Sequence, residues 1–176
     1  MKRGMKPAMK GMGTQLLAAV LLAALAACSP SLNWREVQLG RLQTLLPCKP
    51  DSASRNVVLA GQNLSMEVMG CEAEGVLFAI SMLRTADVAQ APALLAALRK
   101  ASLDNVQMRE AQSMANSGDA DRSTDLLVQG QYPNGSSLQA RFKWLQAGEE
   151  VYQIAAFAPR LASEQTDNLV SEARLR

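Results

Sequence analysis

The firmest pattern in the chain is an alternation near its C-terminal end. Leu126, Val128, Gly130 and Tyr132 recur at every second position, and Leu138, Ala140, Phe142 and Trp144 do so again after Pro133-Asn134-Gly135. Side chains of a strand point alternately to its two faces, so each run predicts a half-buried strand. Asn-Gly between the runs suits a tight hairpin, because both residues tolerate a positive φ. Opposite the second run stand Gln139, Arg141 and Lys143, which predicts one dry face and one wet or helix-shielded face. On this register Phe142 belongs to the core, and Arg141→Ala is expected to cost far less stability than Phe142→Ala.

Residues 33–38 read as a strand, Gly40 as a turn and residues 41–46 as the return. Pro47-Cys48-Lys49-Pro50-Asp51 breaks that strand, since proline cannot donate to a ladder. Residues 57–59 and 64–71 predict a hairpin about Gly61-Gln62-Asn63, with Leu64, Met66 and Val68 on one face. Residues 76–83 are apolar on both faces, which suits a central strand. The period then changes. In residues 91–103, Leu94, Leu95, Leu98, Ala101 and Ser102 share one side of a helix, Pro92 sits in its first turn, and Arg99 and Lys100 point away. A short strand is predicted over 106–111 and a polar loop over 115–124. Ala147-Gly148-Glu149 turns the chain into a strand over 150–158. Ser163 is expected to cap a helix holding Leu169 and Val170, and residues 173–176 form a last extended piece. Mostly antiparallel strands with two helices predict an α+β sandwich, a sheet flanked by helices.

Ahead of this pattern, residues 11–27 carry no charge, and Lys2, Arg3, Lys6 and Lys10 precede them. The apolar heart, residues 16–27, is shorter than the about 20 residues a spanning helix needs. A positive flank, a short apolar segment and small residues are the parts of a secretory signal. Leu25-Ala26-Ala27-Cys28 then resembles the lipobox of bacterial lipoproteins. The resemblance implies a diacylglyceryl group on the Cys28 sulfur, cleavage before Cys28 and acylation of the new amino terminus. It divides the chain into a signal peptide (1–27), a lipid-anchored tether (28–32) and one α+β domain (33–176). A start at Met12 would strip the positive flank, so an earlier start is expected. Ser29 after Cys28, rather than aspartate, is similar to outer-membrane sorting signals. The domain is therefore expected to face the periplasm, from the outer membrane rather than the inner.

Charge changes its meaning once the signal is set aside. Without Lys2, Arg3, Lys6 and Lys10 the 18 basic residues become 14 against 16 acidic, a net of −2 in place of +2. No basic excess remains to attract nucleic acid. The sequence holds no histidine, which excludes Ser-His-Asp and Cys-His catalysis and any imidazole-dependent metal site. With Cys28 committed to lipid, Cys48 and Cys71 remain in an oxidising compartment, and an even remainder reads as one disulfide. Two buried free thiols or a redox pair are the alternatives, and the spacing is unlike Cys-x-x-Cys.

Trp34, Gly40 and the 47–50 segment resemble the opening of PsbP/DcrB-type domains, where a Trp-led strand, a glycine turn and a Phe-Pro-Gly-Lys-Pro-like segment begin the fold. Glu150-Val151-Tyr152-Gln153-Ile154 with Pro159 is similar to that family's Leu-Tyr-Gln strand and following proline. Residues 169–175 resemble its closing helix and terminal segment. The resemblance spans about residue 34 to the end and implies an antiparallel sheet flanked by helices on exported or membrane-anchored proteins. It implies no common catalytic residue. Cys48 stands where the family has glycine, and Cys71 has no counterpart.

Few constellations suggest chemistry. Asp119-x-Asp121-x-Ser123-x-Asp125 begins like a calcium loop but has Thr124 at the glycine position and Gly130 at the bidentate glutamate position, so an acidic surface loop is expected. Asp51, Glu67, Glu72 and Glu74 lie near Cys48 and Cys71, with nothing to set two of them at a working distance. Lys49 is expected in a loop, and Trp34 and Trp144 in the core. No catalytic, cofactor or metal site is therefore expected. The expected function is a lipid-anchored interaction or assembly module with an envelope protein partner. The alternative is a binder of a small apolar ligand in a sheet–helix cavity lined by Met66, Phe78 and Leu98. A carboxylate enzyme is the least supported. Cys28→Ser in a bacterial host is expected to abolish acyl labelling and release the protein from the membrane pellet. A mutant that still pellets after a salt wash would place the anchor elsewhere.

Overall fold

Residues 32–114 and 124–176 are described in a computed structural model of the chain. Their strands are β1 (Arg35–Leu39), β2 (Leu42–Leu46), β3 (Asp51–Leu59), β4 (Gln62–Ala73), β5 (Val76–Arg84), β6 (Glu110–Ser113), β7 (Asp125–Gln131), β8 (Ser137–Ala147), β9 (Glu150–Ala158) and β10 (Arg174–Leu175). The helices are α1 (Ala91–Asn105), between β5 and β6, and α2 (Ser163–Ser171), between β9 and β10. Seven strands form an antiparallel sheet in the order β3-β4-β5-β9-β8-β7-β6. Strands β1, β2 and β10 form a smaller antiparallel sheet. The fold is α+β, a large antiparallel sheet with two helices, and all of it lies within the compact unit Leu32–Arg176.

Alternation assigns each face of the large sheet its own core. Leu126, Val128, Leu138, Phe142 and Trp144 pack with Met66, Val151 and Ala155 beneath Leu94 and Leu98 of α1. Phe78, Ile80, Tyr152 and Ile154 point the other way, onto Leu42 and Leu46 of the small sheet and Leu169 of α2. Strands β5 and β9 thus feed both cores, as their two-sided apolar character requires. Both clusters, the strand ladders and the disulfide lie within Leu32–Arg176, so this piece carries the interactions that fold it on its own.

The late hairpin follows the expected register, with Leu126 opposite Phe142 and Val128 opposite Ala140. Gly130 owes its place to backbone contact. A Cβ there would collide with the carbonyl of Val106, which accepts the N–H of Gln131 at 2.9 Å and ties the end of α1 to β7. Sequence and structure differ elsewhere. The first large hairpin is longer than residues 57–71, because β3 begins at Asp51. Strand β3 is an edge strand that is polar along most of its length, so apolar periodicity does not mark it. Its turn is Ala60-Gly61, with φ of 50° and 73°. The strand expected over 106–111 begins only at Glu110, since Val106 and Met108 donate backbone N–H groups to Ser102 and Leu103 at the end of α1. Most of the expected 115–124 loop lies outside the described residues.

Ser163 does not cap α2. Ala162 occupies the cap position, and its N–H donates to Oε1 of Gln165 at 3.1 Å. Nor does Arg99 point wholly away, for its guanidinium lies 5.4 Å from the Trp144 ring centroid. The disulfide partners Cys48 and Cys71 stand 6.0 Å apart at Cα and join the segment after β2 to β4. Closing a loop of 23 residues contributes about 3 kcal/mol on the chain-entropy model.

Arg141 is the main correction. It lies on the far face from Phe142, but α2 covers it and leaves it 7% exposed. Its Nε and one terminal nitrogen donate to Asp125 at 3.2 and 3.1 Å, and the other donates to Thr166 at 3.0 Å and Asp167 at 2.5 Å. Phe142→Ala should cost about 3–5 kcal/mol through its cavity. Arg141→Ala should cost about as much, because it removes two charged donors from the largely buried carboxylate of Asp125 and the donor to Thr166 and Asp167. Urea melts of residues 29–176 measure both. A cost below about 1 kcal/mol at Arg141, the range of exposed pairs, would mean α2 does not cover β8.

Candidate functional site

One helix cannot cover a seven-stranded face. Strands about 4.8 Å apart make a sheet roughly 30 Å wide, whereas a helix with its side chains is about 10–12 Å across. Leu94, Leu98 and Ser102 of α1, four residues apart, hold the helix over β8 and β9. Toward β3 the sheet face stays open, and a pocket of about 310 Å³ lies between α1 and strands β3, β4, β5 and β9. That volume is at the small end of ligand sites, about 300–1,000 Å³.

The pocket's walls are apolar, with Val57, Leu59, Met66, Val68, Leu98 and Phe157 around it. Its floor is not. Ser81, Ser102 and Gln153 reach it from β5, α1 and β9, and the exposed Arg55 and Asn105 stand at its rim. The Gln153 amide has a fixed orientation. The Trp144 indole Nε1–H donates to Gln153 Oε1 at 3.1 Å, and the Ser102 hydroxyl also lies in hydrogen-bond contact with that oxygen. An indole can only donate, so the oxygen must face Trp144.

A second polar cluster lies on the opposite face, where the β1–β2 turn meets β9. Glu150 accepts from the Tyr152 hydroxyl, from Arg84 and, at 3.3 Å, from the Arg41 backbone N–H. The same N–H donates to the Tyr152 oxygen at 2.7 Å. Gly40, at φ 55°, leaves room for this arrangement, since a Cβ there would lie 2.5 Å from the Met82 sulfur and 2.7 Å from the Tyr152 oxygen. Burial pushes the Glu150 carboxyl upward, but the donors Tyr152, Arg84 and Arg41 outweigh it and hold it below the ordinary range. Burial first, and Glu150 second, push the Tyr152 phenol up to about 12. The cluster latches the small sheet to the large one.

Of the residues singled out by sequence, Met66 and Leu98 do line the pocket, while Phe78 packs on the other face, 6.4 Å from the Trp34 ring. Trp144 is core, 1% exposed and stacked on Phe142, and it also carries Arg99. Asp51, Glu67, Glu72 and Glu74 spread along the β3–β4 hairpin and the turn after it. Among the described residues, no group of three acidic, cysteine or histidine side chains is placed to hold a metal. Asp119, Asp121 and Ser123 lie outside the described residues, as does Cys28, and Asp125 is paired with Arg141. Sequence reading missed Gln153 and Ser81, although each is a polar residue at an inward position between apolar ones, Val151 and Ala155 or Ala79 and Leu83. Compared with protein-family models, curated proteins and solved structures, the chain matches none.

The latch generates a pH prediction. A carboxyl held below its unfolded pKa contributes stability that is fully present above the ordinary value of about 4.3 and is lost as pH falls through the folded value. The difference in urea stability between wild type and Glu150→Gln should therefore be largest at neutral pH and shrink toward pH values of about 3. A difference that grows on acidification would contradict the latch.

Proposed function

We propose that this protein is a lipid-anchored binding module of the bacterial envelope, held at Cys28, facing the periplasm, and taking a small, mostly apolar ligand between α1 and the large sheet. The observation that carries the reading is the pocket of about 310 Å³ with apolar walls and a few convergent polar groups. Of the three readings from sequence, this favours the ligand binder, although the pocket uses Met66 and Leu98 without Phe78. The lipobox-like segment supports the anchor, and Ser29 supports the outer membrane.

The assembly reading retains one observation of its own. Among the described residues, strand β3 has an edge of nine residues unpaired on one side, with Val58 70% exposed near its tip. Such an edge suits a partner that adds a strand. The carboxylate-enzyme reading finds no support in Glu150, whose oxygens are engaged by Tyr152, Arg84 and Arg41. Ala101 lies on α1 at the pocket and is only half-buried, so Ala101→Phe should plug the space with little effect on folding. In residues 29–176, α-methylstyrene should shift the backbone amide resonances of Val57, Val68 and Leu98 in the wild type and not in Ala101→Phe. Equal shifts in the two proteins would place apolar binding elsewhere.

A further inference from the structure

Trp144 fixes the orientation of the Gln153 amide, and this decides what the pocket floor offers a ligand. Oε1 accepts from Trp144 at 3.1 Å and contacts the Ser102 hydroxyl, while among the described residues Nε2 has no acceptor. Among the described residues the Ser81 hydroxyl, directly across the β5–β9 ladder from Gln153, likewise has no partner, although the residue is only 7% exposed. Among the described residues no solvent-inaccessible side-chain nitrogen or oxygen lacks a partner, so both atoms reach open space. The pocket is the space that Gln153 and Ser81 share. Its floor therefore carries an unpaired amide donor beside an unpaired hydroxyl, under apolar walls.

Resting on the pocket reading above, we infer that the ligand is a small apolar molecule with a neutral carbonyl-type oxygen at its inner end, which accepts hydrogen bonds from Gln153 Nε2 and the Ser81 hydroxyl. The donors are uncharged, and a carboxylate desolvated against them would lack a countercharge, which disfavours a buried anionic end. Among the described residues the one cation lining the pocket, Arg55, stands at the rim and contacts Met66 Sδ at 3.6 Å, so any charged group of the ligand belongs there. A site built to donate a hydrogen bond discriminates by leaving its donors unpaired with the wrong molecule. The volume equals that of roughly ten liquid waters at about 30 Å³ each, which bounds the ligand to a small molecule.

Acetophenone and α-methylstyrene test this, since they share one shape and differ by a carbonyl oxygen against a methylene carbon. Gln153→Glu keeps an oxygen toward Trp144 and replaces the pocket-facing donor by an acceptor. In residues 29–176, titrated by amide resonances, Gln153→Glu should weaken acetophenone about tenfold and α-methylstyrene less than about twofold. Ser81→Ala, which leaves the Trp144 bond intact, should weaken acetophenone about threefold and guards against a Gln153→Glu protein that fails to fold. In the wild type, acetophenone and not α-methylstyrene should move the Gln153 side-chain amide resonances. If both substitutions change the two probes equally, the donor floor is wrong while the pocket stands. If neither probe binds, or Ala101→Phe leaves both unaffected, the pocket reading falls and takes this inference with it.

Discussion

Two-sided burial of β5 and β9 is the constraint on which the rest of the fold depends. Phe78, Ile80, Tyr152 and Ile154 are fully buried on one face, and Leu83, Val151 and Ala155 are at most 1% exposed on the other. Such strands are stable only when both faces are covered. The small sheet and α2 cover one face, and α1 covers part of the other. The connections are placed accordingly, with β1 and β2 ahead of the large sheet, α1 crossing between β5 and β6, and α2 and β10 closing the chain. The disulfide from Cys48 to Cys71 and the Glu150–Tyr152–Arg41 latch both act where the two sheets meet.

The two coverings are unequal, and the pocket follows from that inequality. On the α2 side two layers share the work, and even the Arg141 guanidinium is enclosed. On the other side a single helix, fixed at its end by the contact between Val106 and Gly130, spans only part of the sheet. The uncovered part, between Leu98 and the β3–β4 hairpin, needs no special sequence to be hollow. What it does need is a reason for its polar floor. A core strand position filled by leucine would pack better than Gln153, and an alanine would leave no hydroxyl at Ser81. Polar side chains retained at such inward positions carry a desolvation cost that a ligand with a matching acceptor would offset.

Much of the scaffold was legible because one periodicity governed it. The alternations in β5, β7, β8 and β9 each face a core, so reading every second residue found Phe78, Leu126, Phe142 and Trp144. The same rule states which side chains share a face and says nothing of what covers that face, which is why it allows a wet or a helix-shielded face at Arg141 and predicts a mild substitution there, whereas α2 encloses it. It is silent on β3, whose Ser52, Ser54 and Asn56 bury neither face, though Ser54 bonds Ser65 across the ladder at 2.8 Å. Met66 and Leu98 were found as lining because they are apolar and inward. Phe78 was misplaced, because β4 and β5 each alternate but only the structure fixes which parity of one matches which parity of the other. Gln153 and Ser81 were passed over, since their meaning lies in a partner across a strand ladder and in the donor-only indole of Trp144.

The central claim is that open, apolar space persists between α1 and the β3–β4 side of the sheet. Xenon reports such space directly, since it enters apolar cavities without requiring a polar partner. A crystal of residues 29–176 pressurised with xenon should show an atom bounded by Met66, Leu98 and Phe157, with those side chains unmoved. A structure in which Met66 or Leu98 has folded into that space, leaving no xenon there, would contradict the account.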